Sequence, residues 1–158
     1  MKRIILLLSL AIALNSCQSN DGLSYDKLIE VNNTHVLKPT LESTVDKITK
    51  DTVSYSDFKY PVILVIVMKQ NLKYEVCISK TDYKIFKGAR PETFNKLKGF
   101  THFKKLPVLL FGDIDNSFFI NEENKLPNIL GKPPVYDIDN PPIVYEPKML
   151  CKKYNLKF

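Results

Sequence analysis

The sequence predicts a small α+β domain: an antiparallel β-sheet built from hairpins, with one or two short helices on one face. Three observations carry that expectation. An unbroken apolar run, YPVILVIVM, is followed across a polar turn by an alternating run, LKYEVCIS. Leu41, Val45 and Ile48 recur at helical spacing. The strand-like segments lack the regular strand–helix–strand rhythm of a wound parallel sheet.

Taken in order, Leu41, Val45 and Ile48 fall at i, i+4 and i+7, one stripe of a helix over about 41–50, with Thr40 as its expected cap. From Pro61 to Met68 every residue is apolar and most are β-branched, which suits a strand covered on both faces. KQN then turns. In 72–79, Leu72, Tyr74, Val76 and Ile78 alternate with Lys73, Glu75, Cys77 and Ser79, completing a hairpin. PETFNKLKG, 91–99, has proline where helices begin and glycine where they end, and reads as a second helix with Phe94 and Leu97 inward. PVLLFGDI and SFFIN flank Asp115-Asn116, so a second hairpin is expected over 107–121. Residues 127–147 hold six of the ten prolines and are expected to be irregular, with short edge strands near Val135 and Ile143. KKYNLKF, with Tyr154, Leu156 and Phe158 alternating, predicts a last strand.

The amino-terminal segment is of another kind. Lys2 and Arg3 precede an apolar stretch, Ile4 to Leu14, of 11 residues. A membrane-spanning helix needs about 20 such residues, so this stretch reads as an export signal and not as a span. It ends in Leu14-Asn15-Ser16-Cys17, which resembles the lipobox of bacterial lipoproteins: an aliphatic residue, two mostly small ones, then cysteine. Asn15 is the less usual occupant of its place. The resemblance covers residues 1–17 only. It implies that Cys17 receives a diacylglyceryl group on its thiol, that a signal peptidase cuts before it, and that the new amino terminus is acylated. Acyl chains contribute about 0.8 kcal/mol per buried CH₂, and three on one residue anchor a protein durably. The organisation expected is a signal peptide over 1–16, a flexible tether over 17–24 and one domain over 25–158. Gln18 stands where an aspartate commonly retains lipoproteins in the inner membrane, so the expected place is the cell envelope, at the outer membrane sooner than the inner.

The charge balance narrows the partners. The chain carries a formal +6; Lys2 and Arg3 lie in the leader, leaving 21 basic against 17 acidic residues. Arginine, which forks onto phosphate and guanine, occurs only as Arg3 and Arg90, so nucleic acid is not an expected partner. Charge is segregated: residues 80–105 are basic and 113–146 acidic. This is read first as solvated faces attracting each other within the fold, and second as a basic patch for anionic headgroups or an acidic partner.

Chemical signatures are sparse. DIDN occurs at 113–116 and 137–140, but neither copy continues as a calcium loop, and Asp and Asn at these places suit turns. No metal or cofactor is expected. With Cys17 lipidated, Cys77 and Cys151 remain as an even pair in an oxidising compartment; the sequence leaves open whether they form a disulfide or two free thiols. The functional expectation is a lipid-anchored binding module, immunity- or inhibitor-like among its forms. It would act on a protein or an envelope polymer through the Tyr- and Pro-rich segment 133–147, with Tyr136 and Tyr145 as the contact residues. The alternative is a small envelope hydrolase using scattered carboxylates, or Cys77 or Cys151 paired with His35 or His102.

Overall fold

The computed structural model describes residues 21–32, 34–51, 58–71, 73–121, 126–135, 139 and 144–155. The leader, Cys17, Tyr136, Ile143, most of the second DIDN, and Leu156 and Phe158 lie outside them. The described chain forms a five-stranded sheet and three helices, an α+β fold.

β1 (Pro61–Gln70) and β2 (Lys73–Asp82) form the expected hairpin, in register Val65↔Ile78. The strands run past the apolar stretch because the ladder closes only at Gln70↔Lys73, with Asn71 at φ 56. Asparagine tolerates the left-handed region better than most residues. β3 (Gly99–Phe103) pairs antiparallel with β4 (Leu106–Gly112), and β4 lies parallel to β1 in register Val65↔Leu110. β5 (Leu150–Tyr154) borders β2. The order is β3-β4-β1-β2-β5, so β4, β1 and β2 are interior; β1 and β4 send apolar side chains into the cores on both faces, which is why both read as continuous apolar runs. One neighbouring pair, β1 with β4, is parallel where an all-antiparallel sheet was expected.

The second hairpin spans 99–112 and not 107–121. Its loop is Lys104-Lys105, both at positive φ (47 and 69), as a two-residue turn between twisted strands requires. Two lysines satisfy that geometry without advertising it. The expected partner strand SFFIN instead makes a single 3₁₀ turn, Asn116–Phe118. It sends Phe118 and Phe119 into the core, with one bridge from Phe119 to Leu37.

Helix α1 covers Tyr25–Ile29, α2 Pro39–Asp51 and α3 Tyr83–Ala89. α2 is the expected helix, begun by Pro39 at its first position; Thr40 therefore sits inside the first turn, its carbonyl accepting from the Ser43 and Thr44 hydroxyls. The helix expected over 91–99 is reduced to a 3₁₀ turn, Glu92–Phe94, because Gly99 is needed to open β3. A Cβ there would stand 2.7 Å from the Phe119 ring. The helix lies upstream as α3, where the Asp82 carboxylate accepts from the Lys84 and Ile85 backbone N–H groups.

Helices cover both faces of the sheet. On one, Leu41, Val45 and Ile48 of α2 pack on Ile63, Val65, Val67, Val76, Ile78 and Leu110. On the other, Leu28 of α1 and Tyr83 and Phe86 of α3 join Phe94, Phe100, Leu109, Phe111 and Ile129. Val135 lies in irregular chain and is 94% exposed, and the described residues up to it, 126–135, form no strand.

Candidate functional site

The feature that bears most on function is where the amino-terminal arm meets the domain. Residues 21–24 are docked and are not the free tether their polarity suggested. The Leu23 N–H donates to the Ile129 carbonyl at 2.9 Å. The Leu23 carbonyl accepts from the Tyr83 hydroxyl at 3.0 Å and the Lys87 ammonium at 3.1 Å. Tyr83 also points at the Ile129 carbonyl, 2.9 Å away, so its proton is shared; burial pushes its ionisation far above the ordinary tyrosine range. Gly22 and Gly131, both at positive φ, pass backbone to backbone. A Cβ on Gly22 would fall 2.4 Å from the Gly131 nitrogen, so only glycine fits.

Arg90 holds this arrangement from below. It is 1% exposed. Its guanidinium donates to the carbonyls of Lys87 (2.6 Å), Lys132 (3.0 Å) and Gly131 (3.4 Å), and to Asn95 Oδ1 (2.9 Å). Its fixed fork of donors joins α3 to the segment that carries Gly131. Above it, Lys84, Lys87, Lys132, Asp21 and Pro134 border a shallow depression. Burial lowers the Lys87 pKa, with Asp21 opposing and Arg90 adding to the shift. The Lys84 ammonium lies 4.1 Å from the centre of the Tyr60 ring.

A second, more enclosed cleft of about 110 Å³ lies between the 34–37 segment, α2 and the β3 edge. Its border includes His35, Glu42 and His102, but the two imidazoles do not converge. The His35 ring packs on Phe119, on the α2 side, and its Nδ1 accepts from the Phe100 N–H at 3.3 Å. His102 shares its strand face with Phe100, against whose ring it packs edge-on at 5.0 Å, on the α1 and α3 side. Among the described residues the buried His102 Nε2 has no hydrogen-bond partner. Burial lowers both histidine pKa values.

Cys77 and Cys151 stand directly opposite each other in the β2–β5 ladder, with sulfurs 2.04 Å apart, a disulfide. They occupy the far edge of the sheet from β3. Three strand spacings of about 4.8 Å separate β2 from β3. No Cys–His nucleophile can therefore form with His102, and the bonded sulfurs are not thiols. The carboxylates of the first DIDN bind backbone: Asp113 ties to the end of β1 by accepting from the Lys69 N–H at 2.8 Å, and Asp115 closes a turn by accepting from the Ser117 N–H at 2.8 Å. Among the described residues no group of three or more His, Cys, Asp or Glu side chains is placed to hold a metal ion.

Tyr145 is half-buried; its hydroxyl meets Thr81 Oγ1 at 2.5 Å and its N–H donates to the Ala89 carbonyl at 2.8 Å. Sequence reasoning missed Tyr83, the Gly22–Gly131 contact and Arg90. One signal was present for the last: a lone arginine in a domain that otherwise uses lysine marks a place where a forked donor is needed.

The chain matches no protein-family model, no curated protein and no solved structure.

Proposed function

We propose that this chain is a lipid-anchored lipoprotein of the bacterial cell envelope whose domain acts by binding a protein or an envelope polymer. The observation that carries the reading is the leader: a basic start, a short apolar stretch, and Leu14-Asn15-Ser16-Cys17 at its end. Two features of the domain support it. The arm after Cys17 is received by a built socket, with glycines, Tyr83 and Arg90 committed to it. The Cys77–Cys151 pair suits an oxidising compartment. The binding part of the reading is favoured over the hydrolase by the spent carboxylates, the separated histidines and the oxidised cysteines. The outer membrane is the preferred destination, on Gln18.

Intact-mass analysis of the protein from producing cells tests the anchor. The expected species starts at Cys17 and carries diacylglyceryl and acyl mass; a chain that starts at Met1, or one cut elsewhere without lipid, overturns the reading. Cys17→Ala is expected to abolish the lipid mass. For the binding surface, photo-crosslinking from position 135 in intact cells is expected to capture one predominant partner that Tyr136→Ala loses.

A further inference from the structure

The socket and the leash together fix which side of the domain faces the bilayer, and this inference rests on the lipid-anchor reading. Only four residue steps separate Cys17 from Asp21, a reach of about 14 Å at full extension. A domain of this length has a radius of gyration of about 14 Å, and an outer radius larger still. The leash is therefore too short for the domain to turn over on its anchor. Whatever surrounds Asp21 must lie near the headgroups.

What surrounds it is cationic. Lys84, Lys87 and Lys132 border the depression, with Asp21 the one acidic residue among the described residues that line it. One branched aliphatic side chain is exposed next to these lysines in sequence, Ile85 after Lys84, at 55%. Lysines with interspersed apolar side chains are the composition expected at an anionic lipid interface. The opposite end of the molecule is the β1–β2 loop. β1 starts beside Asp82, the cap of α3, and runs ten residues away to Gln70, about 30 Å at strand rise.

We propose that the Lys84–Lys87–Lys132 face is a docking surface for the anionic phospholipid headgroups of the protein's own bilayer, with the β1–β2 loop presented away from the membrane. The test uses lipidated wild-type protein, its added mass verified first, in nanodiscs of either anionic phosphatidylglycerol or zwitterionic phosphatidylcholine. Lysines are acylated with a water-soluble amine-reactive ester and rates read by peptide mass spectrometry. In anionic discs Lys84 and Lys132 are expected to react about fivefold more slowly than Lys69 and Lys73, the factor matching one lysine's gain at an anionic surface. The protection is expected to disappear in zwitterionic discs and at high salt.

Equal rates at the four lysines in anionic discs overturn the inference and leave the anchor standing. So does protection that ignores lipid charge, or protection that appears only when an anionic polysaccharide is added. A protein without lipid mass removes the anchor and this inference together.

Discussion

The two faces of the sheet are held by different means. The α2 face is shape packing: Leu41, Val45 and Ile48 lie on aliphatic side chains of β1, β2 and β4, with Phe118 and Phe119 buried among them and Tyr74, Phe103 and Tyr154 partly buried against the cluster. The opposite face is aromatic and stitched. Phe86, Phe94 and Phe111 meet edge to face at 5.0–6.2 Å between ring centres. Around them Arg90, Tyr83, Tyr145 and Leu23 bind backbone that belongs to no strand. Strand alternation puts the Cys77–Cys151 bridge on this face too, since Val76 and Ile78 point to the other. The difference follows from what each face covers. One long amphipathic helix shields the first. The second is roofed by short helices and prolyl loop, which cannot satisfy their own backbone groups and need side-chain donors.

The stitched face is therefore expected to be the more fragile. Arg90→Ala leaves the Lys87 and Lys132 carbonyls without their donor; at about 1–3 kcal/mol per orphaned buried acceptor, the loss is expected to be about 3–5 kcal/mol in urea unfolding. Arg90→Lys is expected to recover little of it, because a single ammonium cannot reach all the partners. Equal stability of Arg90→Ala and wild type would erase the contrast between the faces.

Removing the bridge with Cys77→Ala and Cys151→Ala opens a loop with a sequence separation of 74. The loop-entropy relation gives about 4 kcal/mol. Thiol counting under denaturing, non-reducing conditions is expected to find neither of the pair free. On the α2 face, Ile48→Val is expected to cost about 1 kcal/mol, the usual effect of deleting one buried methylene. A larger loss would mean that this face is as intolerant as the other.

The smallest expected effect is pH dependence, and each face has one contributor. His35 and His102 are both held below the usual imidazole range by burial. The unfolded chain then binds more protons than the folded one as pH falls through and below about 6.5. Stability is fully present above that value and declines on acidification. Urea midpoints at pH 7.5 and 5.5 check the sign. His35→Gln is expected to flatten the α2-face share of the slope and His102→Gln the other; a slope unchanged in both variants would assign it elsewhere.

What could be read in the sequence divides along the same line. The β1–β2 hairpin and α2 were legible because their signals are local: an apolar run, alternation, a helical stripe; the even cysteine count left the Cys77–Cys151 bond open. β3 was not, since GFTHF has no run of its own and is a strand only because β4 pairs with it. The parallel contact of β1 with β4 joins segments far apart in the chain, and no local pattern encodes it. α3 escaped notice because YKIFKGA offers just Tyr83 and Phe86 as an inward pair. At the candidate site, the four letters that resemble a lipobox lie outside the described residues. The socket that receives residues 21–24 was invisible, because it depends on Gly22 meeting Gly131, two glycines with nothing between them to suggest it.

That meeting has a mechanical consequence. The peptide groups flanking Leu23 are held on both sides, through N–H to Ile129 and through C=O to Tyr83 and Lys87. Tension entering from the amino-terminal end does not peel the chain away bond by bond. It is passed as shear into residues 129–132 and, through Arg90, into α3. Unravelling from this end is expected to stall at Leu23 until those contacts yield together.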